Sequence, residues 1–174
     1  EGACGLLLEA RCDPSEELDW GWTPLMLAAD GGHTGCVRLL LEHRAQTNAA
    51  CTAGATALIL AARAKEPTVD ILDLLCGARA NPDAQDARDG RTALHVLAER
   101  GREDVVGALL ADGAAASPLD VEKRSPLHLA AQAGRKAAVQ CLLEAGAQDG
   151  QDRTGASARD LAEQKRHYGV VALI

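Results

Sequence analysis

The sequence predicts an all-α solenoid, a stack of helix-turn-helix units joined by projecting β-hairpin or loop fingers. Two observations carry this reading. A hydroxyl-led opening recurs as Thr23-Pro24-Leu25-Met26, Thr56-Ala57-Leu58-Ile59, Thr92-Ala93-Leu94-His95, Ser125-Pro126-Leu127-His128 and Ser157-Ala158-Arg159-Asp160. The hydroxyls stand 33, 36, 33 and 32 residues apart, and a near-constant period of this size marks stacked repeats. The composition agrees: 174 residues contain no Phe, one Tyr and two Trp. Thin helical layers, each buried only against its neighbours, can be sealed with Leu, Val and Ala and need few large aromatics.

The unit that begins at Ser125 shows why the segments are helical. The Ser125 hydroxyl can cap exposed helix amides, and Pro126 suits the first helical position, where its missing N–H costs nothing. Leu127, Ala130 and Ala131 form one apolar stripe, and Gly134 ends the helix. A second helix buries Val139, Leu142 and Leu143 and closes at Gly146. The polar stretch to Asp152 leads to the next unit.

The same plan divides the chain, read as one domain over 1–174, into units at about 1–17, 18–50, 51–86, 87–119, 120–151 and 152–174. The first is partial: Leu6-Leu7-Leu8-Glu9 matches a second helix with too little chain before it for a first. The chain is therefore expected to be a fragment of a longer protein, or to lack its first residues. The last, with Gln164, Lys165 and Arg166 on a solvated face, is expected to be a C-terminal cap. The long spacing from Thr56 to Thr92 is expected to lengthen an acidic finger over 81–90, with Pro67 at the start of a second helix.

Repeated in register, Gly-x-Thr-Pro-Leu-x-Leu-Ala-Ala, then Gly-His, then Leu-Leu-Leu-Glu and Gly-Ala, resemble the ankyrin repeat over essentially the whole chain. The resemblance implies a surface that binds other proteins on a concave side, made of loop tips and the polar ends of the first helices. It does not select a function, because sites rather than folds carry function.

Net charge is −7, which disfavours nucleic acid, whose phosphates need a basic face, and anionic membrane. No stretch is apolar enough to span a bilayer, and no signal-peptide pattern opens the chain. The six cysteines form no Cys-x-x-Cys or Cys-x-x-His cluster, so they read as free thiols of a reducing compartment, without a metal. These features predict an intracellular protein, cytoplasmic or nuclear, monomeric alone, without cofactor and bound to another protein.

Candidate contact residues follow from the ladder of loop tips and helix ends. They are Asp19, Trp20, Trp22 and Asp30 in the second unit, then Arg63 in the third. The fourth supplies Arg88, Asp89, Arg91, Glu99 and Arg100, and the fifth Glu122, Arg124 and Gln132. Trp20 and Trp22 flank Gly21 where a scaffold needs no aromatic, and Trp and Arg are frequent interface anchors. One Trp could instead pack over the preceding half-unit. The arginines could form a positive stretch, or be neutralised by Asp86, Asp89, Glu99 and Glu122. Ser125 with His128 repeats as Thr92 with His95, so the pair is architecture and no catalytic residue is expected. The leading expectation is non-catalytic protein binding. The alternative is a substrate-recruiting part of a larger enzyme or a ubiquitin-ligase adaptor.

Overall fold

The computed structural model describes residues 13–174. The expected partial unit lies largely outside the described residues, including Leu6, Leu7, Leu8, Cys4 and Cys12. Ten α-helices follow among the described residues, in five antiparallel pairs. The inner helices are α1 (Pro24–Asp30), α3 (Ala57–Arg63), α5 (Ala93–Arg100), α7 (Pro126–Gln132) and α9 (Ala158–Gln164). The outer helices are α2 (Thr34–Glu42), α4 (Val69–Gly77), α6 (Glu103–Ala111), α8 (Lys136–Glu144) and α10 (Tyr168–Val171). Inner helices pack on inner helices and outer on outer, in chain order.

Each inner helix begins at the hydroxyl the sequence marks. The Met26 amide donates to Thr23 Oγ1 at 3.3 Å, and Pro24 and Pro126 hold the first helical position. In α5 the arrangement is reciprocal: the Thr92 amide donates to His95 Nδ1 at 3.1 Å, and the His95 amide to Thr92 Oγ1 at 3.4 Å. Asp160 plays the part of His95 in α9, accepting from the Ser157 amide at 2.9 Å. The atypical opening of the last unit therefore keeps the cap. Thr56 is the exception, and its buried hydroxyl has no partner among the described residues.

His95 also ties two units together. Because Nδ1 accepts the Thr92 amide, the ring is the tautomer with a proton on Nε2, which lies 3.0 Å from the Arg124 carbonyl of the next unit. His128 repeats the local contact, with Nδ1 2.8 Å from Ser125 Oγ. Its buried Nε2 has no partner among the described residues. Both pairs are buried, which suits a cap and closes the hydroxyl to a substrate.

The core is the stripe between the two helix layers. Leu25, Leu58, Leu94 and Leu127 from the inner helices meet Val37, Leu40, Ile71, Leu75, Val105, Leu109, Val139 and Leu142 from the outer ones. Ala29, Ala62, Ala98, Ala131 and Ala162 are fully buried in the inner layer. Cys36, Cys51, Cys76 and Cys141 are free thiols. Burial, then a hydrogen bond and charge from Asp112, push the Cys76 thiol up to about 12.

Two expectations about chain length are corrected. Thr23 to Thr34 and Ser125 to Lys136 each span eleven residues, but Thr56 to Val69 spans thirteen. Two of the three extra residues therefore lie in the turn 64–68 between α3 and α4, and only one lies in the finger. Pro67 sits in that turn, ahead of the helix. The outer helices also leave through a left-handed residue that is glycine only in places. Arg44 and Arg79 hold φ of 63° where Gly113 and Gly146 stand in later units, and Gly77 is the last residue of its helix rather than this exit.

His95→Ala should cost roughly 1 kcal/mol more stability than His128→Ala, since only His95 bridges two units through Nε2. Urea unfolding of both variants checks this. Burial holds the His95 pKa below its ordinary 6.5 against the raising influence of the Arg124 carbonyl and Asp120. As pH falls through the unfolded value, the unfolded chain gains a proton that the fold resists. The His95 contribution is thus whole above 6.5 and declines below it. His95→Ala should flatten stability between about pH 7 and 5.

Candidate protein-binding surface

The fingers form a continuous strip beside the inner helices. Each is closed across its base by a backbone hydrogen bond: Leu18 to Trp22 at 2.7 Å, Cys51 to Ala55 at 3.0 Å and Asp86 to Arg91 at 3.0 Å. The last two run Asp120 to Arg124 and Asp152 to Ala156, both at 2.9 Å. An isolated antiparallel bridge pairs Ala50 with Thr56, and the described residues contain no longer strand.

Neighbouring fingers are bonded to one another in register. The Thr52 amide donates to the Trp20 carbonyl at 2.9 Å, Ala87 to Ala53 at 3.0 Å, Val121 to Asp89 at 3.0 Å and Arg153 to Glu122 at 2.8 Å. This ladder allows no side chain between the second and third fingers. Gly54 holds φ +76°, and a Cβ there would meet the Ala87 amide nitrogen at 2.5 Å.

Three fingers are anchored by a carboxylate at their first position. Asp120 Oδ1 accepts the amides of Glu122 and Arg124, both at 2.9 Å. Asp152 Oδ1 accepts those of Thr154 at 2.8 Å and Ala156 at 3.1 Å. Asp86 accepts the Arg88 amide at 2.7 Å and pairs with Arg63. Burial works to raise the Asp86 pKa, but the Arg88 amide and the Arg63 guanidinium outweigh it and hold the carboxyl below its ordinary value. Leu18 and Cys51 stand in this slot in the first two fingers.

The expected arginines are largely engaged within the protein. Arg91 reaches Glu99 at 2.8 Å, Asp89 at 3.4 Å and the buried Asp120 at 3.8 Å. Arg124 pairs with Asp120 at 2.9 Å, and Arg63 reaches Asp89 at 3.9 Å as well as Asp86. Arg100 donates to the carbonyls of Ala62 at 3.1 Å, Arg63 at 2.8 Å and Lys65 at 3.0 Å. A cation at the C-terminal end of α3 is favourable there, because that end carries partial negative charge. Arg135 makes the same kind of contact with the Glu99 carbonyl at 3.0 Å, and His167 with that of Gln132 at 3.2 Å.

What remains open to a partner lies on the finger tips and rims. Trp20 is 76% exposed, whereas Trp22 is half-buried against the core. Asp19, Asp30, Arg88 and Glu122 are exposed, while Asp89, Glu99 and Gln132 are half-buried. Leu18, Leu27 and Glu17, which were not among the expected contacts, line an open concavity of about 610 Å³ with Asp19, Trp20 and Trp22. Leu18 was findable, because an apolar residue stands in a slot that later fingers fill with Asp. Leu27 was not, because its counterparts Leu60, Val96 and Leu129 are equally apolar in sequence and differ only in being covered.

Gly54→Ala should destabilise the chain more than Gly32→Ala, which shares a positive φ but has open space around it. The positive φ alone costs about 1–2 kcal/mol for an alanine. The excess at Gly54 reports the contact with Ala87, and denaturant midpoints of the two variants measure it.

Comparison with known proteins agrees with this architecture. The family model for ankyrin repeats (3 copies) matches residues 1–86 and 63–154. The chain is 39% identical over 98 residues, 56% of its length, to the probable E3 ubiquitin-protein ligase XBOS33 of Oryza sativa subsp. japonica. It is 38% identical over 90 residues, 52% of its length, to the E3 ubiquitin-protein ligase XBAT33 of Arabidopsis thaliana. These matches span only 18% and 17% of those relatives. With the period, the paired helices, the finger ladder and the family match in agreement, the chain belongs to the ankyrin-repeat family.

Proposed function

We propose that this stack is a non-catalytic recognition module that holds another protein on its finger tips and inner-helix rims. The observation that supports it most is the bonded ladder of fingers. It fixes five tips in register, yet the tip residues differ in every unit: Asp19-Trp20, Thr52-Ala53, Arg88-Asp89, Val121-Glu122 and Arg153-Thr154. A preformed surface loses little conformational freedom on binding, which favours affinity. Asp19, Trp20, Asp30, Arg88, Asp89, Glu99, Glu122 and Gln132 are its contact residues. Trp22 adds a half-buried apolar floor beside Trp20, and Arg63, Arg91, Arg100 and Arg124 contribute mainly by fixing their neighbours.

No helix among the described residues is long and apolar enough to cross a membrane. The free thiols favour a reducing, intracellular setting, cytoplasmic or nuclear. A monomeric state fits a surface kept free for a different protein. A second reading takes the module as the substrate-recruiting part of a larger ubiquitin ligase. The two relatives named as E3 ubiquitin-protein ligases favour it, although both matches cover under a fifth of their length.

Trp20→Ala, Arg88→Ala and Glu122→Ala should each weaken a captured partner, with a loss of about 1–3 kcal/mol at any tip that is a hot spot. Arg38→Ala and Gln140→Ala on the exposed outer helices should leave it unchanged. Calorimetry on folded variants makes the comparison. Binding lost through the outer-helix variants and kept by the finger variants would contradict the assignment.

A further inference from the structure

The first described finger departs from the others at one place and in more than one way. Leu18 is 48% exposed in the slot where Asp86, Asp120 and Asp152 anchor later fingers and where Cys51, likewise without a carboxylate, is buried. Trp20 holds φ +65°, whereas its counterparts Ala53, Asp89, Glu122 and Thr154 do not take a positive φ. A bulky side chain at positive φ is an outlier, and such strain gathers at ligand clamps and other functional sites. Leu27 is 48% exposed, against 5%, 8% and 1% for Leu60, Val96 and Leu129. The place of α1 as the first described inner helix accounts for an open Leu27. It does not account for Leu18 in the anchor slot or for an indole held outward by a strained backbone.

The charge around this apolar patch has one sign. Glu17 and Asp19 line it, Glu16 precedes it and Asp30 is exposed at the end of α1. None of these four makes an ion pair among the described residues. Residues 13–50 hold six carboxylates against Arg38 and Arg44, and neither arginine lines the concavity. The arginines of later units sit beside their own carboxylates, so among the described residues the negative field here has no paired counterion.

We propose that this concavity takes an apolar side chain from a partner segment whose flanking residues are Lys or Arg. The proposal rests on the reading of the fingers as a protein-binding surface. Leu18, Trp22 and Leu27 receive the apolar group. Glu17 and Asp19 attract the flanking cations, and the open face of Trp20 offers one of them a cation–π contact. Residues 1–12, with Glu1 and Glu9 against Arg11, are a poorer match in charge. A second copy placed symmetrically would set Glu17 and Asp19 against themselves.

The test follows the indole emission of the unsubstituted chain, with Trp20→Phe, its fold confirmed by a melting curve, showing how much of the emission and of any change belongs to Trp20. Capped nonapeptides with a central Leu carry flanks of Lys/Arg, Gly/Ser or Asp/Glu. The Lys/Arg set should shift Trp20 emission to the blue. Its apparent affinity should fall several-fold with added NaCl, and about tenfold in Glu17→Gln/Asp19→Asn. Equal binding of the Asp/Glu set, or no emission change with any set, would overturn the proposal. So would a Trp20 emission already blue and quencher-shielded in the free chain, which would mean that its own first residues or a second copy fill the site; sedimentation separates those two. If a captured partner still depends on Arg88 and Glu122 while no peptide engages Trp20, only this inference fails. If no finger variant affects the partner, the wider reading fails with it.

Discussion

The spacing between successive inner helices governs the rest of this molecule. Alanine suits it: Ala29, Ala62, Ala98, Ala131 and Ala162 are fully buried residues of the five inner helices, which pack on one another in order. A methyl group allows closer approach than any larger side chain, and the side chains at a contact determine the interaxial distance. The fingers ride on these helices, so the same spacing brings Thr52 to Trp20 and Arg153 to Glu122 within 2.9 and 2.8 Å. The contacts of His95 with Arg124, and of Arg100 with the end of α3, reach across the same gap. One packing distance thus serves the core, the caps and the ladder together.

This dependence separates residues that build the surface from those that can be read on it. Buried carboxylates such as Asp86 and Asp120 are tolerated because amides and guanidinium groups satisfy them from both the same and the neighbouring unit. Arginines spent in this way contribute rigidity more than free positive charge. The chemistry left to a partner is therefore uneven along the stack. It is aromatic, apolar and acidic at the first described finger, mixed at Arg88 and Asp89, and balanced by Arg153 and Glu122 near the end.

The period, helix starts and core stripe were legible in the sequence because each has a local cause: a capping hydroxyl, a proline at the first turn, apolar residues at helical spacing. Two features were not. The sequence shows that 36 residues separate Thr56 from Thr92, but turn 64–68 and the finger compete for the surplus on similar polar composition. Arg44 and Arg79 occupy left-handed positions that glycine would announce, and arginine does not. At the surface, Trp20 was visible as an aromatic without a scaffold role. Whether Arg91 stays free or pairs with Asp89, Glu99 and Asp120 depends on side chains from two units, and no single unit's sequence encodes that meeting.

Native-state hydrogen exchange tests the coupling of stack to surface most directly. Locking of the fingers by inner-helix spacing predicts that the amides of Thr52, Ala87, Val121 and Arg153 exchange only when the amides of α3, α5, α7 and α9 also open, with matching free energies. Rapid exchange at those four finger amides while the inner helices stay protected would contradict it. The fingers would then be mobile loops, and a preformed surface would be lost with them.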